Sequence, residues 1–196
     1  TTTTTTTTTN NYNNSTANES YEILETREGD LVFAGYSGTQ HGDYKWFMVK
    51  TDPDGNQIWK KAKSTTGDAI LYGLCESPSG GYVAAGFCNS WRSNFITKRN
   101  PNNGNNTFTE CMIGDFNVAG VYDITPAMGG GYYLIDERSY LTKVDESGQI
   151  IFTEQVGSNL AVIELDNGDV IVGGSGAFLD GGYGGSAVIT RLSFSD

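Results

Sequence analysis

The chain has 196 residues, including 26 glycines, four prolines and 12% aromatic side chains. That length supports one domain with a core of its own, and so much glycine among aromatics favours short strands and tight turns over long helices. A formal charge of −11, from 23 acidic and 12 basic residues, repels phosphate backbones and excludes nucleic acid as a natural partner. No apolar run approaches the ~20 residues of a membrane span.

The sequence opens at Thr1 with neither an initiator Met nor a signal peptide, as expected of a processed secreted protein or of a fragment. Thr1, Thr2, Thr3, Thr4, Thr5, Thr6, Thr7, Thr8 and Thr9 form a homopolymer, followed by an Asn-rich stretch to Asn18. β-Branched threonine favours extended backbone. A homopolymer cannot fix its own strand register, because every two-residue slip looks alike. Order in this tract therefore has to come from a neighbouring sheet edge or from attached sugars. N-glycosylation sequons begin at Asn13, Asn14 and Asn18, and a fourth begins at Asn105, which makes covalent glycans the expected modification of a secreted form.

From Tyr21 the chain repeats a plan. Tyr21–Thr26 alternates like a half-buried strand, and Gly29 opens a turn into Leu31–Tyr36. After a polar loop, Trp46–Lys50 is a third strand. Asp52-Pro53-Asp54-Gly55-Asn56 reads as a turn, and Gln57–Lys60 as a fourth strand. The second unit has strands at Leu71–Cys75, Tyr82–Phe87, Phe95–Lys98 and Thr107–Met112. The third has Val121–Thr125, Tyr132–Ile135, Tyr140–Lys143 and Ile150–Gln155. The fourth has Ala161–Leu165, Val170–Gly173 and Ala187–Arg191, with no fourth strand before Asp196.

Each third strand ends on a basic residue: Lys50, Lys98, Lys143 and Arg191. The spacings are 98 − 50 = 48, 143 − 98 = 45 and 191 − 143 = 48. A four-stranded antiparallel unit recurring at roughly 40–50 residues predicts an all-β fold, a β-propeller of four short blades whose last blade lacks its own fourth strand. The basic residues are expected at a solvated rim. Small residues such as Ala34-Gly35, Ala84-Ala85-Gly86 and Gly173-Gly174 suit strands crowded near a central axis.

Gly80-Gly81-Tyr82-Val83-Ala84-Ala85-Gly86-Phe87 and Val49-Lys50-Thr51-Asp52-Pro53-Asp54-Gly55-Asn56-Gln57-Ile58-Trp59 resemble the two halves of the glycine-rich propeller repeat of secreted bacterial and archaeal surface proteins. The resemblance runs from about Tyr21 to the C-terminus and weakens in the third and fourth units, where the tryptophan is lost. It implies a secreted protein with a structural or binding role and transfers no catalytic residue. The Thr/Asn tail lies outside it.

The chain divides into an extended arm, residues 1–18, and a propeller, residues 19–196. An open blade edge is costly to leave exposed, and the Thr tract occupies the sequence position of a strand that would complete it. The eleven residues between Thr9 and Tyr21 reach up to ~36 Å when extended. The tract can therefore close its own fourth blade or cross to another subunit. Crossing is favoured by the long linker, by its glycan sites and by a composition adequate for backbone pairing, and it predicts head-to-tail homopolymerisation.

Chemistry is sparse. The Asp52 loop lacks the further carboxylates and terminal glutamate of a calcium loop, and His41, the single histidine, has no recognisable partner pattern. Three cysteines, Cys75, Cys88 and Cys111, match no zinc spacing and read as buried small apolar residues, one at least being free or paired with another chain. No catalytic residue, metal or cofactor is expected. Two alternatives stay open. One is a lectin-like module stacking sugars on Tyr44, Trp46, Trp91 and Tyr183. The other is a glycan-cleaving enzyme using carboxylates among Asp43, Asp68, Asp115, Asp123, Asp136, Asp166 and Asp180.

Overall fold

A computed structural model describes residues 17–39, 42–63, 67–88, 93–112, 120–175 and 187–194. Among these residues every regular element is a strand. The first sheet contains β1 (Ala17–Glu25), β2 (Leu31–Gly38), β3 (Lys45–Thr51) and β4 (Gln57–Lys63). The second contains β5 (Ile70–Glu76), β6 (Tyr82–Cys88), β7 (Ser93–Arg99) and β8 (Asn106–Met112). The third contains β9 (Val121–Pro126), β10 (Tyr132–Asp136), β11 (Tyr140–Val144) and β12 (Ile150–Gln155). The fourth contains β13 (Ala161–Glu164), β14 (Val170–Ser175) and β15 (Ala187–Leu192). Each sheet is an antiparallel meander in sequence order; three have four strands, and the fourth has three among the described residues. β1 starts earlier than expected and takes in Asn18, because its pairing with β2 continues as far as Ala17 opposite Gly38.

One turn is used four times. After each first strand a backbone N–H donates back across the hairpin: Gly29 to Thr26, Gly80 to Ser77, Gly130 to Ala127, and Gly168 to Leu165. All four glycines have φ between 84° and 89°, the left-handed region that L-residues with a Cβ avoid. The glycines that anchor the sequence repeat are thus turn residues, and the strands follow from where they fall.

The sheets pack face on face in series. β1, β2 and β3 lie against β5; β5 and β6 lie against β9; β9 and β10 lie against β13. Three apolar clusters fill these three joints. Val32, Ala34 and Met48 meet Leu74, Tyr82 and Ala84 in the first. Val83, Ala85 and Ile96 meet Ile124, Tyr132 and Leu134 in the second. Tyr133, Ile135 and Leu141 meet Val162, Val170 and Val172 in the third. Among the described residues no strand of the fourth sheet packs on the first in this way.

Among the small residues expected to be crowded, close approach is found at Gly35, Gly86 and Gly174, where it is to backbone of the same sheet or its loop rather than across an axis. A Cβ on Gly35 or Gly86 would overlap the backbone of its own first strand, at Glu19 or at Ile70. Gly173 is different: a Cβ there would meet open space. One cysteine reading is corrected in part. Cys75 is free and buried; Cys88 is buried in the first apolar cluster as expected, but it is disulfide-bonded and so is a cross-link as well. The side chain of Cys111 lies outside the described residues.

Candidate assembly interface

In the first three sheets the basic residue that closes the third strand is not the solvated rim residue expected of it. Lys50, Lys98 and Lys143 are buried, because their side chains share the face that packs on the next sheet. Lys50 Nζ lies 2.9 Å from Asp30, donates at 3.3 Å to the carbonyl of Pro101 in the second sheet and sits 5.4 Å above the Tyr82 ring. Lys98 Nζ donates to Ser77 at 2.8 Å and to Tyr132 of the third sheet at 3.2 Å. It also pairs with Glu146 at 3.2 Å. Burial works against the ionised Glu146, but hydrogen bonds from Ser79 and the Gly131 N–H, together with Lys98, hold its carboxyl down at about 2. Lys50 and Lys98 thus each have a partner on the following sheet, as buried charge requires, whereas Lys143 Nζ lies 4.2 Å from the centre of the Tyr133 ring in its own sheet. Arg191, the fourth member, pairs with Asp169 in its own sheet while most of its side chain stays in solvent.

The joints share a register. Looking forward are Val32, Val83, Tyr133 and Ile171 on the second strands, and Met48, Ile96, Leu141 and Ile189 on the third. Looking back are Ile23, Leu74, Ile124 and Val162 on the first strands, and Phe33, Ala84, Leu134 and Val172 on the second. Interior members of these sets are buried. The members at the two ends of the series are not. Ile189 is 78% exposed where Met48, Ile96 and Leu141 are 0%, and Ile23 is 60% exposed where Leu74, Ile124 and Val162 are buried. Among the described residues each end of the series of sheets therefore presents half of a joint.

A second feature escaped sequence reading. Each of the first three sheets has a bulge in its first strand, and Tyr21, Tyr72 and Tyr122 occupy the three bulges. Tyr21 and Tyr72 have ring centroids 4.6 Å apart, and Tyr72 and Tyr122 are 5.6 Å apart. Tyr21 donates to Glu19 at 2.8 Å; burial and that carboxylate push its hydroxyl pKa up. The near-constant spacing, 72 − 21 = 51 and 122 − 72 = 50, was the signal, but only a bulge turns those side chains onto one line.

Of the four sugar-stacking candidates, Tyr44 and Trp46 lie among the described residues. Trp46 is 1% exposed; it faces the second sheet beneath the Arg99 guanidinium, 4.7 Å from its ring, and offers no solvent-facing surface, which removes it as a platform. Tyr44 is half-buried against Tyr36, with centroids 4.5 Å apart. Trp91, Tyr183, His41, Asn13, Asn14 and Thr1 to Thr9 lie outside the described residues. Asn18 and Asn105 are exposed.

Several of the carboxylates tie backbone together. Asp68 accepts from the N–H groups of Gly42 and Tyr44 at 2.8 and 2.9 Å. Asp136 accepts from Arg138 and Tyr140. Asp123 accepts from Ile124 and, across the third joint, from Val162, both at 2.8 Å; burial raises its carboxyl above the usual range despite those bonds. The Asp52 carboxylate accepts from Asn56 within its own loop, which is turn chemistry. Asp115 and Asp180 lie outside the described residues. Among the described residues no group of three or more His, Cys, Asp or Glu is placed to hold a metal ion.

A scan against protein-family descriptions finds no match, and a comparison with curated proteins finds none either. Among solved structures the chain is similar to the WD40 domain of Pan2 from Neurospora crassa, with a TM-score of 0.56 at 9% identity. The likeness covers 90% of this chain. The fold is of the β-propeller type. The chain spans 65% of that WD40 domain's length, and at this identity the likeness concerns fold alone.

Proposed function

We propose that this protein is a structural subunit of an extracellular filament or surface assembly. Copies join head-to-tail, the N-terminal Thr tract of one adding a strand to the fourth blade of the next, and the Thr/Asn linker carries glycans. The observation that carries this reading is the state of the fourth sheet. Among the described residues it has three strands where the others have four, and β15 pairs with β14 alone. An open edge of this kind is a template for strand addition. A head-to-tail contact extends into a filament when its rotation does not close. The disulfide at Cys88 supports an oxidising compartment and hence secretion. Several carboxylates of the enzymatic reading hold loops, which supports a non-catalytic role.

Electron microscopy tests the proposal. The full chain is expected to form filaments. A variant lacking residues 1–16, which leaves β1 whole, is expected to form none; filaments that persist in that variant overturn strand addition by the tract.

A carbohydrate-binding propeller is the second reading, now favoured by the tyrosine line rather than by Trp46. Tyr21 is exposed, and Tyr72 and Tyr122 are half-buried beside it. Loss of glycan-array binding on Tyr21→Ala and Tyr72→Ala would establish this reading; an array without signal for the intact chain would remove it.

A further inference from the structure

We infer that the two exposed end faces are complementary halves of a fourth joint, and that a second copy of this chain fills it: the forward face of the fourth sheet packs on the backward face of the first sheet of the next molecule. The inference rests on the assembly reading above and names a surface that strand addition alone does not require.

The argument starts from the register. The forward face of the fourth sheet presents Ile163, Ile171 and Arg191 in one cross-strand row, and Ala161, Gly173 and Ile189 in the next. The first row is a pair of β-branched residues ending in a cation, and the second is a shallow slot of small residues beside an isoleucine. Ile163 is 52% exposed, although its counterpart Cys75 is buried in the second joint. The empty space beside Gly173 corresponds to the positions of Ala34, Ala85 and Ile135, all of which are buried against the following sheet.

The backward face of the first sheet supplies the other half. Ile23 is exposed, and Leu31 and Phe33 are half-buried. Their interior counterparts, such as Ile124, Tyr132 and Leu134, fill the second joint. Each end thus carries residues that, three times in this same molecule, are buried by the other end's counterparts. That is why the occupant is a copy of this chain rather than an unrelated surface.

Charge points the same way. Lys50 donates to the carbonyl of Pro101 in the β7–β8 turn of the following sheet, and Lys98 reaches Glu146 in the β11–β12 turn. The corresponding turn of the first sheet is Asp52-Pro53-Asp54-Gly55, with Asp54 exposed. Arg191, with most of its side chain in solvent, is the cation that would meet this acidic turn across the joint.

Because face and complement lie at opposite ends, the contact is heterologous, so it extends from copy to copy or closes a ring. It is tested by cross-linking. Ile23→Cys and Ile163→Cys chains, prepared separately and mixed under mild oxidation, are expected to give a disulfide-linked pair containing one of each. Neither variant alone is expected to do so, and Ile58→Cys, exposed on β4, is the control against random pairing. Repeating the mixture without residues 1–16 separates the two claims. Cross-linking without filaments supports both. Filaments in the shortened chain overturn the tract's role and leave the joint standing. No mixed pair in either length, or no more than the Ile58→Cys control gives, overturns the joint, including the case in which blades of a different chain occupy these faces. Ile189→Asp gives an independent reading: an unchanged melting temperature with loss of association is expected, and unchanged association contradicts the joint.

Discussion

Gly86 is the residue at which the strand pattern meets its tightest constraint. It sits in β6 opposite the bulge that turns Tyr72 out of β5, and a Cβ there would overlap the Ile70 carbonyl. Gly86→Ala therefore forces the bulge to move, at a cost of about 1–3 kcal/mol, read as a lower urea midpoint with an unchanged slope. Glu146 is the second residue-scale test. Its carboxyl is held at about 2 in the folded chain, below the ~4.3 of an unfolded glutamate. A depressed acid contributes stability that is complete above the unfolded value and is lost as pH falls towards the folded one. Unfolding free energy is thus expected to fall between pH ~4.5 and pH ~2, and Glu146→Gln is expected to flatten that part of the profile. The effect is modest because Glu146 is 41% exposed and solvent screens it.

The element scale shows what the sequence made legible. Strand placement was readable because the glycine turns are periodic: most observed strands extend the expected ones by a few residues, the longest extension being β1 back to Ala17, while β13 stops one residue short at Glu164. The destination of the third-strand lysines was not readable. A Lys before a polar turn looks solvated, and only the stacking of one sheet on another brings Tyr82 and Pro101 to Lys50. The burial of Trp46 has the same origin, since alternation along β3 gives its side but not what covers that side. The repeat also offers a contrast between equivalent positions. Ile96 fills the second joint, and Ile96→Ala is expected to cost about 2–5 kcal/mol. Ile189→Ala, at the same place in the fourth unit, is expected to leave monomer stability within about 0.5 kcal/mol. Urea unfolding at a dilution that favours the monomer reads both.

At the scale of the whole molecule, the described residues form four sheets in series with an exposed face at each end, and the function proposed here follows from those faces rather than from any catalytic group. The disulfide at Cys88 adds a covalent constraint suited to an extracellular setting. Reductant is expected to lower stability by about 2–5 kcal/mol, seen as a drop in melting temperature; an unchanged melt would remove this support for secretion. Net charge of −11 opposes self-association in dilute salt, so assembly is expected to strengthen as ionic strength rises. The most direct measurement is sedimentation of the intact chain across a range of concentrations at physiological salt. The account predicts species well above the 21.1 kDa of one chain, growing with concentration. A single 21.1 kDa species at every concentration would contradict it.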